Sequence, residues 1–434
     1  MTDWIGETFT STVGWDHLET LVDIGNRQAG SVGEREAATA TRDALEAAGA
    51  RDAHLEDFPI QGWTRGSSSI EAGDTTQRCI ALPHSPSGEE TAELVDLGYG
   101  LPEDFEDADV EGKVVMVSTN VPSWYERFPH RREKYYHAVE GGAAAFVFRN
   151  HVEGGLAPTG SVGMDAAPIG EIPAVGVSKE VGARLARRFD GEEVTVAVEA
   201  DIHDATSQNV HADLGPDTEE AILVTSHVDA HDICEGAMDN GAGTAMAVEL
   251  ARTLAAREGE LDTRVHFLIF GAEEVGLVGA SYAAERIDHD HIKAILNNDG
   301  VVRGRDLKFY THGFPELKEA VNTISERFEH PMTVTPRLGP HSDHWEFVQW
   351  GVPGYHVTSE TGEASRGWGH TRADSLDKLE VRNFRESAIL LTELAVHLAA
   401  DEFSVAHRDP EAIAADLEAE NLDTALKLTG DWPY

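Results

Sequence analysis

From Val210 onward, short apolar runs of strand length alternate with longer runs of helical texture, and no other feature restricts the fold as much. Such alternation builds an α/β fold with a mostly parallel central sheet flanked by helices on both faces. Strands are expected at Ala221 to Thr225, Arg264 to Phe270, Ile292 to Leu296, Leu307 to Tyr310 and Gly354 to Val357. Helices are expected at Gly241 to Arg257, Gly279 to Arg286, Pro315 to Phe328, Asp343 to Trp350 and Val381 to Ala400. In open sheets of this type the ligand crevice lies beyond the carboxyl ends of the strands. The residues that follow those ends are therefore the first candidates for function.

The N-terminal part has a different texture. Glu34 to Ala48, rich in Ala, Glu and Leu and closed by Gly49, predicts a helix. Ala53 to Phe58 and Ser67 to Glu71 have strand character. From about residue 72 to about residue 200 short buried-strand signals recur at Gly112 to Val117, Ala143 to Phe148 and Ile172 to Val177. Helix-like runs lie at Glu133 to Glu140 and Lys179 to Phe189. This stretch reads as a separate lobe between two parts of one larger domain.

Charge narrows the partners. The chain carries 78 acidic and 34 basic residues, a formal net charge of −44, and only 8 of the basic residues are Lys. A polyanion of this kind is not suited to nucleic acid or to an anionic membrane surface, both of which are negative. Its self-repulsion is relieved only where salt shortens the Debye length to about 3 Å, near 1 M. The pattern resembles cytoplasmic proteins of halophilic archaea. No secretory signal is visible in the acidic, polar stretch Met1 to Thr12, and no apolar run approaches spanning length. The two cysteines, Cys79 and Cys234, cannot make a disulfide framework, so a reduced, cytoplasmic setting is expected. Dimers are the default expectation among soluble assemblies.

The chemistry gathers after the predicted strands. The first ends in Thr225-Ser226-His227-Val228-Asp229, and Gly236-Ala237-Met238-Asp239-Asn240-Gly241-Ala242-Gly243 opens the helix that follows. The second ends in Gly271-Ala272-Glu273-Glu274, two consecutive carboxylates whose side chains must diverge, so that one can bind a metal while the other stays free. The third ends in Asn297-Asn298-Asp299, and a late loop offers Gly369-His370-Thr371-Arg372-Ala373-Asp374. Singly these are weak signals in so acidic a chain; in combination they read as a metal site.

In order and context these motifs resemble the M28 peptidases, with carboxypeptidase Q-like members nearest in the central motif, from about Asn209 to about Leu398. The resemblance implies a zinc-dependent exopeptidase fold with residues 1–71 and 200–434 as a discontinuous catalytic domain and 72–199 as an inserted protease-associated domain. It implies two Zn²⁺ per chain, with His227 and Asp299 on one ion, Glu274 and His370 on the other, and Asp239 bridging both. Glu273 is then the free general base, and Asp229 orients the His227 ring, as metal-bound histidines usually require. Two zinc ions at a bridged spacing of roughly 3.5 to 4 Å can hold a hydroxide and polarise a scissile carbonyl, while Glu273 carries the proton to the leaving amine. The implied activity is aminopeptidase or dipeptidase cleavage of a peptide or dipeptide. Two alternatives share the architecture: a glutaminyl-cyclase-like zinc acyltransferase, which would use a single zinc, and a catalytically silent M28-like binding module, which would be expected to lose ligands.

Other residues carry thinner readings. His344, in His341-Ser342-Asp343-His344, resembles a segment lining the family's substrate cleft, against the reading of Asp343 as a helix cap beside an exposed His. Asp374 either orients His370 or caps Ser375 to Leu379. His231 has no assigned role, and Cys234 reads as packing. The resemblance also implies a cis peptide bond between Asp239 and Asn240. Gly160-Ser161-Val162-Gly163 lacks the spacing of a nucleophile elbow.

Overall fold

The computed structural model describes residues 3–361 and 367–434. The chain forms two compact units, one made of residues 1–60, 206–369 and 374–416, the other of 61–205, 370–373 and 417–434. Two strands of 22 residues each, Arg51–Ala72 and Glu193–Leu214, contain the points where the chain passes between them. The two stretches of strand character near Ala53 and Ser67 are thus parts of one continuous strand.

In the first unit, strands lie in the order Thr333–Thr335, Leu307–Tyr310, Gly354–Ser359, Ile292–Asn298, Ala221–His227, Arg264–Phe270 and the last residues of Glu193–Leu214. The central four are parallel, while Leu307–Tyr310 and residues 210–214 run antiparallel to their neighbours. All seven residues of Ala221–His227 are buried, as a strand covered on both faces requires. Its two inward hydroxyls are paired, Thr225 Oγ1 donating to Asn297 Oδ1 at 2.7 Å and Ser226 Oγ meeting Thr244 Oγ1 at 3.2 Å. Helix Ala242–Ala256 is almost wholly buried because its Ala, Gly and Val side chains let Val13–Asp23 and Val381–Ala399 pack closely against it.

The expected strands and most of the expected helices of this unit are present. The run Asp343 to Trp350 is an exception, forming one helical turn, Trp345–Val348. Residues 342–344 are drawn into the interior and Gly351, at φ +96°, ends the turn. Helices Asp3–Thr10, Val13–Asp23, Pro410–Ala419 and Asp423–Leu428 were not among those expected.

In the second unit Gly88–Asp96, Val114–Ser118, Ala145–Arg149 and Ala174–Val177 pair in parallel, with Ile80–Ala81 antiparallel at one edge and residues 193–198 at the other. Alternate residues feed two cores: Met116, Val147 and Leu185 on one face, Val117, Phe146 and Tyr135 on the other. Helix Lys179–Phe189 is capped by Ser178, whose side chain accepts from Val181 N. Among the described residues no helix is long and apolar enough to cross a membrane.

Candidate metal centre

Three adjacent parallel strands end together at His227, Phe270 and Asn298, so their following residues converge on one crevice. His227 is fully buried. Its Nδ1 lies 3.4 Å from Asp229 Oδ1 and 3.2 Å from Asp229 O, two acceptors that place the ring proton on Nδ1. In the neutral ring Nε2 then carries the lone pair, and it faces oxygens of Asp239 at 3.5 Å, Asp299 at 3.8 Å and Glu273 at 4.0 Å. Burial alone would lower the His227 pKa, but Glu273, Asp229, Asp239 and Asp299 overcome it and raise it well above the usual value. The crevice therefore attracts positive charge.

Asp229, also fully buried, does more than orient that ring. Its two oxygens accept from the backbone N–H groups of Glu273 and Glu274, both at 3.1 Å, tying the strand end at His227 to the turn that carries the paired acids. The same turn is braced by Glu34, which accepts from Ala272 N at 3.0 Å, Ser207 Oγ at 2.7 Å and Gly30 N at 2.7 Å. Burial and the charge of Asp229 push the Glu34 pKa up to about 8. Sequence reading saw in Glu34 only the start of a helix.

Asp239 sits in the turn Ala237–Gly241, and the Asp239–Asn240 peptide bond is cis, as the resemblance implied. Asp374 holds this turn, accepting from Met238 N at 2.7 Å and Asp239 N at 3.1 Å. It does not cap the 376–378 turn, which is preceded by Ser375 with no side-chain cap. Asn240 accepts from Gly243 N and donates to Asn298 O, and a Cβ at Gly243 would stand 2.1 Å from that same carbonyl. The glycine lets helix Ala242–Ala256 begin against the neighbouring strand end.

The two neighbouring acids diverge. Burial pushes the Glu273 pKa well up, and Glu274 and Asp343 add to the rise against the opposing pull of His227. Glu274 Oε2 instead lies 3.0 Å from Nε2 of His231, a residue 2% exposed to which the sequence assigned no role. Cys234 is half-buried and its thiol pKa is raised by burial, consistent with packing. His344 is fully buried, not exposed; its Nε2 is 3.1 Å from His312 Nε2 and its ring stacks on His356. Asp343 does not cap a helix, and its two buried oxygens have no hydrogen-bond partner among the described residues. His370, at φ +54°, groups with the second unit, where its carbonyl accepts from Thr159 N at 2.8 Å and its Nδ1 is 3.5 Å from Arg131 Nη1.

Arg27 was invisible to motif reading. It is 2% exposed and donates to the carbonyls of Leu21, Val228, Glu235 and Gly236, clamping both sides of the loop that leads to Asp239. Arg27→Met should destabilise the protein by about 3–5 kcal/mol, since it strands several buried acceptors. A denaturant midpoint equal to the parent's would contradict that accounting.

These residues fit a metal. His227, Glu273 and Asp299 each offer a ligand atom within 4.8 Å of the others, and His227 Nε2 is buried with no hydrogen-bond partner among the described residues. One imidazole nitrogen among clustered carboxylates is a donor set that suits zinc.

Residues 209–395 match Peptidase family M28, and residues 90–185 match the PA domain. The chain is 26% identical over 417 residues to aminopeptidase YwaD of Bacillus subtilis, covering 92% of this chain and 86% of that one. It is 24% identical over 396 residues to bovine carboxypeptidase Q, covering 86% and 82%. A solved structure of a zinc aminopeptidase from Bacillus subtilis superposes with a TM-score of 0.72 at 25% identity, covering 92% of this chain and 98% of that one. With its ligand-type residues gathered at the strand ends of the matched region, the chain is a hydrolase of the zinc metallo-exopeptidase type, similar to Peptidase family M28 over residues 209–395 and to the PA domain over residues 90–185.

Proposed function

We propose that the protein is a co-catalytic two-zinc exopeptidase that cleaves the peptide bond next to a chain terminus, by aminopeptidase or dipeptidase action. The observation that carries this reading is the fully buried His227 Nε2 aimed at Asp239, Asp299 and Glu273. Such a cluster of buried carboxylates is compensated best by multivalent cations. His227 and Asp299 would hold one ion, Glu274 and His370 the other, and Asp239 would bridge them. Bound zinc supplies Lewis-acid polarisation of the scissile carbonyl and makes water a better nucleophile near neutral pH. Glu273 then takes the proton from the attacking water and returns it to the leaving amine. Asp229 keeps the His227 ring and the Glu273 backbone in register throughout.

The net charge of −44 supports a cytoplasm of high salt as the setting, as in halophilic archaea. His344 has a lesser place in this reading, since its burial leaves it to shape the cleft wall. The reading predicts two zinc ions per chain by elemental analysis and hydrolysis of aminoacyl chromogenic amides that chelation abolishes and zinc restores. Hydrolysis persisting in zinc-free protein would refute it; one zinc with cyclising activity would point to the acyltransferase instead.

A further inference from the structure

Arg303 has no part in the mechanism above, yet it is built into the site. Its side chain is only 8% exposed, and Nη2 stands 3.3 Å from Asp239 Oδ2 and 3.9 Å from Asp299 Oδ1. Its buried Nε has no hydrogen-bond partner among the described residues. The loop that presents it is specialised. Gly300, at φ +88°, makes room for the guanidinium, because a Cβ there would lie 2.7 Å from Arg303 Cζ. The Gly300 carbonyl is fixed by Ser359 Oγ at 2.8 Å and Thr358 Oγ1 at 3.3 Å. Val302 adopts φ +69°, a conformation that costs a β-branched residue energy and that tends to persist at functional sites.

Metal binding would commit Asp239 and Asp299 to the cations and leave this seated guanidinium needing another anion. We propose that Arg303 anchors a substrate carboxylate on the leaving-group side of the scissile bond, so that free dipeptides are the preferred substrates. This rests on the exopeptidase reading and adds to it the substrate class. The α-carboxylate carbon of a dipeptide lies within about 4 Å of the scissile carbonyl carbon, so a group beside Asp239 is within its reach. A planar fork of donors matches a carboxylate in two-point fashion. The same cation repels an α-ammonium, which must therefore lie on the other side of the scissile carbonyl. An acidic side chain next to the scissile bond offers the same chemistry, and the test separates the two sources.

The experiment is calorimetric binding to the zinc-loaded Glu273→Gln protein, in which ligands are not turned over, with Leu-Gly, Leu-Gly-amide and Leu-Asp-amide. Leu-Gly should bind about tenfold or more tightly than its amide, and Arg303→Met in the same background should bring that ratio close to one. Arg303→Lys, which keeps the charge but not the fork, should retain part of it. The Lys variant decides the matter if Arg303→Met does not hold zinc. A ratio that survives both substitutions overturns the proposal, as does equal weakening of both ligands. An Arg303-dependent preference for Leu-Asp-amide over Leu-Gly would place the carboxylate on a side chain and overturn the dipeptide assignment. If the wild-type protein cleaves none of the three, the exopeptidase reading itself has failed.

Discussion

Glu273→Gln should retain its zinc and its stability while losing roughly 10² to 10⁴-fold in kcat, and added zinc should not restore the rate. Glu274→Gln should behave in the opposite way, holding one ion much more weakly and recovering part of its activity in excess zinc. The two residues are adjacent, and Asp229 binds both of their backbone N–H groups, so their roles are set by where the side chains point. Glu273 reaches toward His227 and Asp299, whereas Glu274 lies against His231. That placement makes the comparison stringent, because Glu273 is close enough to His227 to serve as a ligand itself. Elemental analysis beside kcat for both variants settles it. Zinc lost from Glu273→Gln and kept by Glu274→Gln would exchange ligand and base, and full activity in both would remove the mechanism altogether.

Thermal stability should climb as KCl or NaCl is raised from about 0.1 M to about 2 M, because the Debye length shrinks to about 3 Å or less over that range. The fold sharpens this expectation. Among the described residues ten acids are buried, Glu34 and Glu133 among them, against five Lys and Arg, so nearly all of the acidic excess stays at the surface. Exposed pairs such as Arg305 with Glu386 offset little of it. Relief of a few kcal/mol of repulsion corresponds to a rise of roughly 3–5 °C in Tm for a chain of this length. A Tm that stays level across the titration would show that the acidic surface is not under repulsive strain.

What could be read in advance followed from geometry that sequence encodes locally. Strand ends are legible because apolar runs stop where the crevice begins, and His227, Asp239, Glu273, Glu274 and Asp299 all follow such stops. Arg27, Glu34 and Arg303 act from outside those motifs, joined to the site by contacts spanning tens to hundreds of residues or by a short irregular loop, and none of them interrupts a periodic pattern. His231 follows the first motif closely, but only the fold shows which way its ring turns. The chain passes between the two units inside Arg51–Ala72 and Glu193–Leu214, and in the first of these the strand runs on through Pro59, Gly62 and Gly66, residues that read as a break in the sequence.

In the proposed mechanism Asp229 touches no reacting atom, yet it ties the His227 ring to the backbone of Glu273. A lesion there should therefore resemble damage to both at once, and a double-mutant cycle of Asp229→Ala with Glu273→Gln should be strongly sub-additive. The same coupling bears on redesign. Shifting the base to suit a new leaving group would also turn the imidazole, so pH optimum and metal affinity would change together when either is selected.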